Sequence, residues 1–131
     1  MKIGKKSENI SSVDVGNFPV WDKKSMSEHL LDDACLVREV AESFAADVPR
    51  RIRSLRGHIE TGNINDAGRQ AHTIKGAAAN VSAERLRVTA FDLEKAARDG
   101  DIETAEALIG QLEAEFDLLK KEMEAGFHTL N

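Results

Sequence analysis

Tyrosine is absent from this 131-residue chain, proline occurs twice, cysteine once, and aromatic residues make up only 5% of the whole. With Ala, Leu, Glu, Lys and Arg plentiful instead, the balance favours helices over strands. The lone Cys35 has no partner for an internal disulfide, and its place beside Leu36 and Val37 suits a small buried hydrophobe in a reducing compartment. Concentrated positive charge is missing too. The net charge is −5, and Arg50, Arg51, Arg53 and Arg56 are interleaved with Ile52 and Leu55 as a solvated flank, which excludes a phosphate-backbone footprint and hence a nucleic-acid binder. No apolar run approaches the roughly 20 residues that span a bilayer, and the amino terminus has no signal-peptide apolar segment. A cytoplasmic domain without membrane contact is expected, and the length suits one core rather than two.

Residues 1–17 mix Lys, Ser, Asn and Gly without apolar periodicity and read as a flexible lead or linker. From Phe18 the polarity breaks. Asp22 caps a short lid helix running to about Leu31, with Met26, Leu30 and Leu31 closing one end of the core. Asp32 or Asp33 opens a long helix whose apolar positions Leu36, Val37, Val40, Phe44, Val48, Ile52, Leu55 and Ile59 keep their phase across Pro49, so one bent helix is expected as far as Gly62. Thr61-Gly62-Asn63 ends it and caps the next. Ser82 caps a fourth segment with Leu86, Ala90, Leu93 and Ala97 on its core face. Gly100 and Asp101 lead into a last helix bearing Ala105, Leu108, Leu112, Phe116, Leu119 and Met123, which Gly126 ends before a frayed tail at 127–131. Long amphipathic helices joined by short connections must be antiparallel neighbours, so the expected fold is all-α: an up-down-up-down four-helix bundle over 18–126 with a short additional N-terminal helix.

The stretch from Ile64 to Val81 carries two demands at once. Ile64, Ala67, Ala71, Ile74, Ala78 and Val81 recur at helical spacing and form a core stripe. The neighbouring strip, reached by turning about 100° per residue, collects Gly68, His72, Lys75, Gly76 and Ala79. Each glycine inside a helix costs about 1 kcal/mol relative to alanine, so stability alone does not select Gly68 and Gly76 one turn on either side of a histidine. One reading is a close helix crossing over a buried His72. The other is an exposed face, favoured because the Lys75 ammonium is unwelcome beside a buried imidazole and welcome beside an anion.

The run Ala71-His72-Thr73-Ile74-Lys75-Gly76-Ala77-Ala78-Ala79-Asn80, with His-x-x-Lys-Gly at its heart, resembles the signature of histidine-containing phosphotransfer (HPt) domains. The resemblance extends from about Val20 to Gly126 and includes the step at Asp47-Val48-Pro49 and the helix start at Glu84, Arg85 and Leu86. It implies a phosphocarrier in a two-component phosphorelay, which takes a phosphoryl group from a receiver-domain aspartate and passes it to another. It also implies response-regulator receiver domains as partners, including that of a hybrid sensor histidine kinase, with magnesium and most of the catalysis supplied by the receiver.

Beside that resemblance, the residues allow a chemistry of their own. A neutral imidazole has a nitrogen lone pair that attacks phosphorus, which makes His72 the phosphoacceptor, and Lys75 three residues on can face the phosphoryl oxygens as a point charge. Gly68, Gly76 and Ala79 then leave a docking surface for the partner's loops. There is no glycine-rich nucleotide loop and no magnesium constellation, so no intrinsic cofactor and no autokinase activity are expected. His29, His58 and His128 read as incidental, and no two histidines have the spacing of a metal pair. The rivals are a helical interaction adaptor without phosphotransfer, and a kinase dimerisation module that would build its bundle from two chains. Four amphipathic helices in one chain already enclose a core and favour a monomer.

Overall fold

The computed structural model describes residues 15–128; the rest of the expected lead and residues 129–131 of the expected tail lie outside them. A single 3₁₀ turn at Val15–Asn17 precedes five α-helices: α1 (Lys23–His29), α2 (Ala34–Glu60), α3 (Ile64–Asn80), α4 (Glu84–Arg98) and α5 (Ile102–His128). No strand occurs among the described residues. Helices α2 to α5 pack in a closed cycle, each against the next and α5 back against α2, while α1 sits across one end. The 3₁₀ turn packs on α4, so the last three residues of the expected lead are part of the folded unit.

Local chemistry explains most boundaries. Asp22 accepts a hydrogen bond from Ser25 N (3.0 Å) at the start of α1, and Asp33 does the same for Leu36 N (3.1 Å) at the start of α2. Asp101 caps α5 by accepting from Thr104 N (3.1 Å). Gly62 and Gly100, at φ 81° and 72°, make the left-handed steps after α2 and α4 that glycine takes without a Cβ penalty. Pro49 lies inside an unbroken α2, as the phase of the apolar residues requires. The stripes read from the sequence supply most of the core: Val48, Leu55, Ala67, Ala71, Ile74, Ala78, Leu93, Leu112 and Leu119 are all fully enclosed, whereas Leu36 in the exposed first turn of α2 is not part of it and Ala41, Val88 and Ile109 are buried in addition.

Four expectations are corrected. Cys35 is exposed, because α2 begins only at Ala34 and its first turn overhangs the bundle. Leu31 is 88% exposed at φ 59°, since α1 stops at His29 and the chain reverses through left-handed residues at Leu31 and Asp32. Ser82 is not the cap of α4; it takes φ 60° in the turn, Ala83 precedes the helix, and the Ser82 carbonyl accepts from Asp22 N at 3.0 Å.

The fourth correction concerns the carboxyl end. Gly126 lies within α5 and Phe127 is buried, because the lid gives that last turn something to pack on. The rings of Trp21 and Phe127 meet edge-on with centroids 5.6 Å apart, Trp21 Nε1 donates to the Val81 carbonyl (3.0 Å), and Lys23 Nζ donates to the Gly126 carbonyl (3.2 Å). A Cβ on Gly126 would lie 2.8 Å from Trp21 Cζ3. Glycine is therefore required here for close approach.

These contacts set a test with opposite signs at two helical glycines. Gly126→Ala displaces a ring that is both packed edge-on against Phe127 and hydrogen-bonded, so it lowers unfolding free energy by about 1 to 3 kcal/mol despite the better helix former. Gly76→Ala, where a Cβ meets nothing within 4 Å, raises stability by up to about 1 kcal/mol. Urea denaturation of both variants checks the pair, and equal effects would refute the lid contact.

Candidate functional site

Helix α3 divides along its length as its sequence demands. Ala67, Ala71, Ile74 and Ala78 are solvent-free, and the strip beside them faces outward. The His72 side chain is 66% exposed, and Gly76 and Ala79 are exposed beyond it. The buried-crossing reading thus fails for His72.

The two glycines have different causes. A Cβ on Gly76 would meet open space, as a docking surface needs, whereas a Cβ on Gly68 would stand 3.3 Å from the Ala97 Cβ of α4. Gly68 is thus a close-packing residue of the α3–α4 crossing, which departs from the expectation that it simply clears room. It also borders a recess of about 470 Å³ beside His72, where Arg69, Glu94, Ala97 and Arg98 complete the wall.

The residue that organises the site is Glu94 of α4. Its Oε2 lies 2.9 Å from His72 Nδ1, and its Oε1 lies 2.9 Å from Lys75 Nζ. Lys75 also rests 5.3 Å from the centre of the Phe91 ring, one turn earlier on α4. The expected ammonium is therefore present beside His72, held between a carboxylate and an aromatic face. Neither Glu94 nor Phe91 was anticipated from sequence. They lie far along the chain from His72, and Glu94 sits beside the core residue Leu93, where a glutamate reads as an ordinary boundary position. Only the α3–α4 packing brings it to the imidazole.

Charge follows from this geometry. Burial pushes the Glu94 carboxyl upward, but hydrogen bonds and attraction from Lys75 and then from His72 outweigh it and hold the group below its ordinary range. Its folded value is lower than its unfolded one, so the pairing adds stability above the usual carboxylate range and loses it as pH falls through the folded value. At neutral pH Glu94 is an anion with acceptors only. The proton of a neutral His72 must then sit on Nδ1, which leaves the Nε2 lone pair available, and none of the described residues engages Nε2.

The remaining histidines stand apart from this cluster: His29 is exposed and His58 half-buried in the last turn of α2, while the side chain of His128 is not among those described. Among the described residues, no group of three or more His, Cys, Asp or Glu gathers as a metal site, and no helix is long and apolar enough to cross a membrane. Three of the four clustered arginines of α2 are tied to carboxylates: Arg50 and Arg51 to Asp47, and Arg56 to Glu113 through two bonds of 3.1 and 2.6 Å.

Comparison with known proteins agrees with this arrangement. No curated protein matches the sequence. Among solved structures, the histidine-containing phosphotransfer protein B (HptB) from Pseudomonas aeruginosa PAO1 is similar, with a TM-score of 0.77 and 27% identity over 82% of this chain and 94% of that one. Residues 39–122, most of the bundle including the whole of α3 and α4, match the family described as the Hpt domain. The chain belongs to the Hpt domain family, whose members are phosphotransfer intermediates that interact with receiver domains in histidine phosphorelays.

Proposed function

We propose that the chain is a monomeric cytoplasmic phosphocarrier in which Nε2 of His72 accepts a phosphoryl group from a receiver-domain aspartate and yields it to another. The observation that carries this reading is the Glu94–His72 hydrogen bond on an exposed face, which turns an imidazole into an oriented nucleophile with one free lone pair. The Nε2 pair attacks phosphorus while the phosphorus–oxygen bond to the aspartyl group breaks, and its electrons leave on the aspartate. Transfer of this kind depends on positioning and on neutralising phosphoryl charge. We assign the sharing of that charge to Lys75, which binds the other oxygen of the carboxylate that holds His72, and the magnesium to the receiver, whose own site would approach across Gly76 and Ala79. A receiver of a hybrid sensor histidine kinase is the proposed donor.

Loss of the imidazole tests the acceptor. His72→Ala should retain the wild-type fold, since it loses one hydrogen bond of about 1 kcal/mol while Glu94 keeps Lys75, yet take up no radiolabel from a phosphorylated receiver. His29→Ala and His58→Ala should label normally. Label retained on His72→Ala would refute the assignment.

Gly76 tests the docking face separately. Gly76→Gln introduces a better helix former by several tenths of a kcal/mol, so thermal unfolding should be unchanged or later. The added side chain stands one turn from His72 in the path of an approaching receiver, and transfer should fall tenfold or more, equivalent to about 1.4 kcal/mol. Full activity in a stable variant would remove Gly76 from the interface.

A further inference from the structure

Glu94 does more chemically than orient a ring. This inference rests on the phosphocarrier reading. When Nε2 bonds to phosphorus, the ring retains its Nδ1 proton, so a neutral imidazole becomes a phosphoimidazolium cation. When the phosphoryl group later leaves for an aspartate or for water, the nitrogen–phosphorus bond breaks and its electron pair returns to Nε2. If Nδ1 still carries its proton, the departing group is neutral imidazole; if it does not, the departing group is an imidazolate anion, a far stronger base and a poorer leaving group. The protonation state of Nδ1 therefore decides whether the stored phosphoryl group can be released.

We propose that Glu94 is a positioning residue that keeps the phosphorylated His72 ring in its protonated, transfer-competent form through neutral pH by facing Nδ1 with a full negative charge. The Glu94 carboxylate lies 2.9 Å from Nδ1, and its side chain is only 21% exposed, so solvent screens the contact weakly. The opposing charges are the cations around the ring. On α3 these are Lys75, which is itself paired with the other oxygen of Glu94, and Arg69, which is 72% exposed and lies 3.6 Å from Asp66. On α4 it is the exposed Arg98 across the recess. None of these three is hydrogen-bonded to the ring, and the two arginines are solvated, so the directly bonded carboxylate dominates. Lys75 adds a second function: it keeps Glu94 ionised before the phosphoryl group arrives, and the new ring cation takes over as counter-charge afterwards.

A pH profile separates this role from simple ring orientation. The intact chain is phosphorylated by a labelled receiver, the donor is removed, and loss of phosphoryl from His72 is followed from pH 5 to 10 for wild type, Glu94→Gln and Glu94→Asp. Glutamine has the same shape and still offers an oxygen to Nδ1–H, but not the charge. The midpoint between labile and stable phosphohistidine should fall by about one pH unit or more in Glu94→Gln, so that at mildly alkaline pH the variant holds its phosphoryl group several-fold longer than wild type. Glu94→Asp, which keeps the charge, should restore most of the shift. Nitrogen-15 spectra of the phosphorylated ring read the same proton directly and should show the same displacement. Coincident midpoints for wild type and Glu94→Gln, in chains that do accept label, overturn the inference while leaving the phosphocarrier reading intact. A wild-type chain that takes no label on His72 overturns both.

Discussion

Helices α3 and α4 approach closely because the residues between them are small. Ala67, Ala71 and Ala78 of α3 and Ala90, Ala96 and Ala97 of α4 are all buried, and at Gly68 a Cβ would stand 3.3 Å from the Ala97 Cβ. Short side chains bring backbones together. A second-row residue on α4 can then reach a first-row residue on α3, as Glu94 does with His72 and Lys75.

The bundle also keeps its core stripe and its His72 strip on neighbouring faces of the same helix. The face of α3 that contributes to folding is Ala67, Ala71, Ile74 and Ala78, all solvent-free, and none of them touches the reactive strip's function. The strip leaves Gly76 open and His72 projecting, while its Gly68 is taken up by the crossing with α4, and each glycine gives up helix propensity. At the far end, Trp21, Phe127 and Gly126 form a lid joint that ties α1 to the last turn of α5. The joint closes the core without intruding on the site.

Much was legible in advance because a helix converts sequence spacing into direction. The apolar stripes of α2 to α5, the boundaries at Asp33, Gly62 and Gly100, and the outward strip holding His72, Lys75, Gly76 and Ala79 all follow from a period of 3.6 residues and the chemistry of caps. The misreadings fell where periodicity has no authority. Leu31 sits at a chain reversal, Cys35 in the exposed first turn of the helix that follows it, and Phe127 past a glycine that reads as a stop. Each was decided by what the rest of the fold placed, or failed to place, beside it.

Sequence by itself thus determined the helices, their core faces and the identity of the exposed imidazole, because those depend on neighbours within about two turns. Tertiary structure alone decided which glycine clears a surface and which permits a crossing, since Gly68 and Gly76 are equivalent until α4 is in place. It also decided the electrostatics of the histidine. Glu94 is 22 residues from His72 along the chain, in a different helix, and no local pattern marks it. Its proximity is a property of how two helices cross, and through that crossing the tautomer, the free nitrogen and the counter-charge of the site are set.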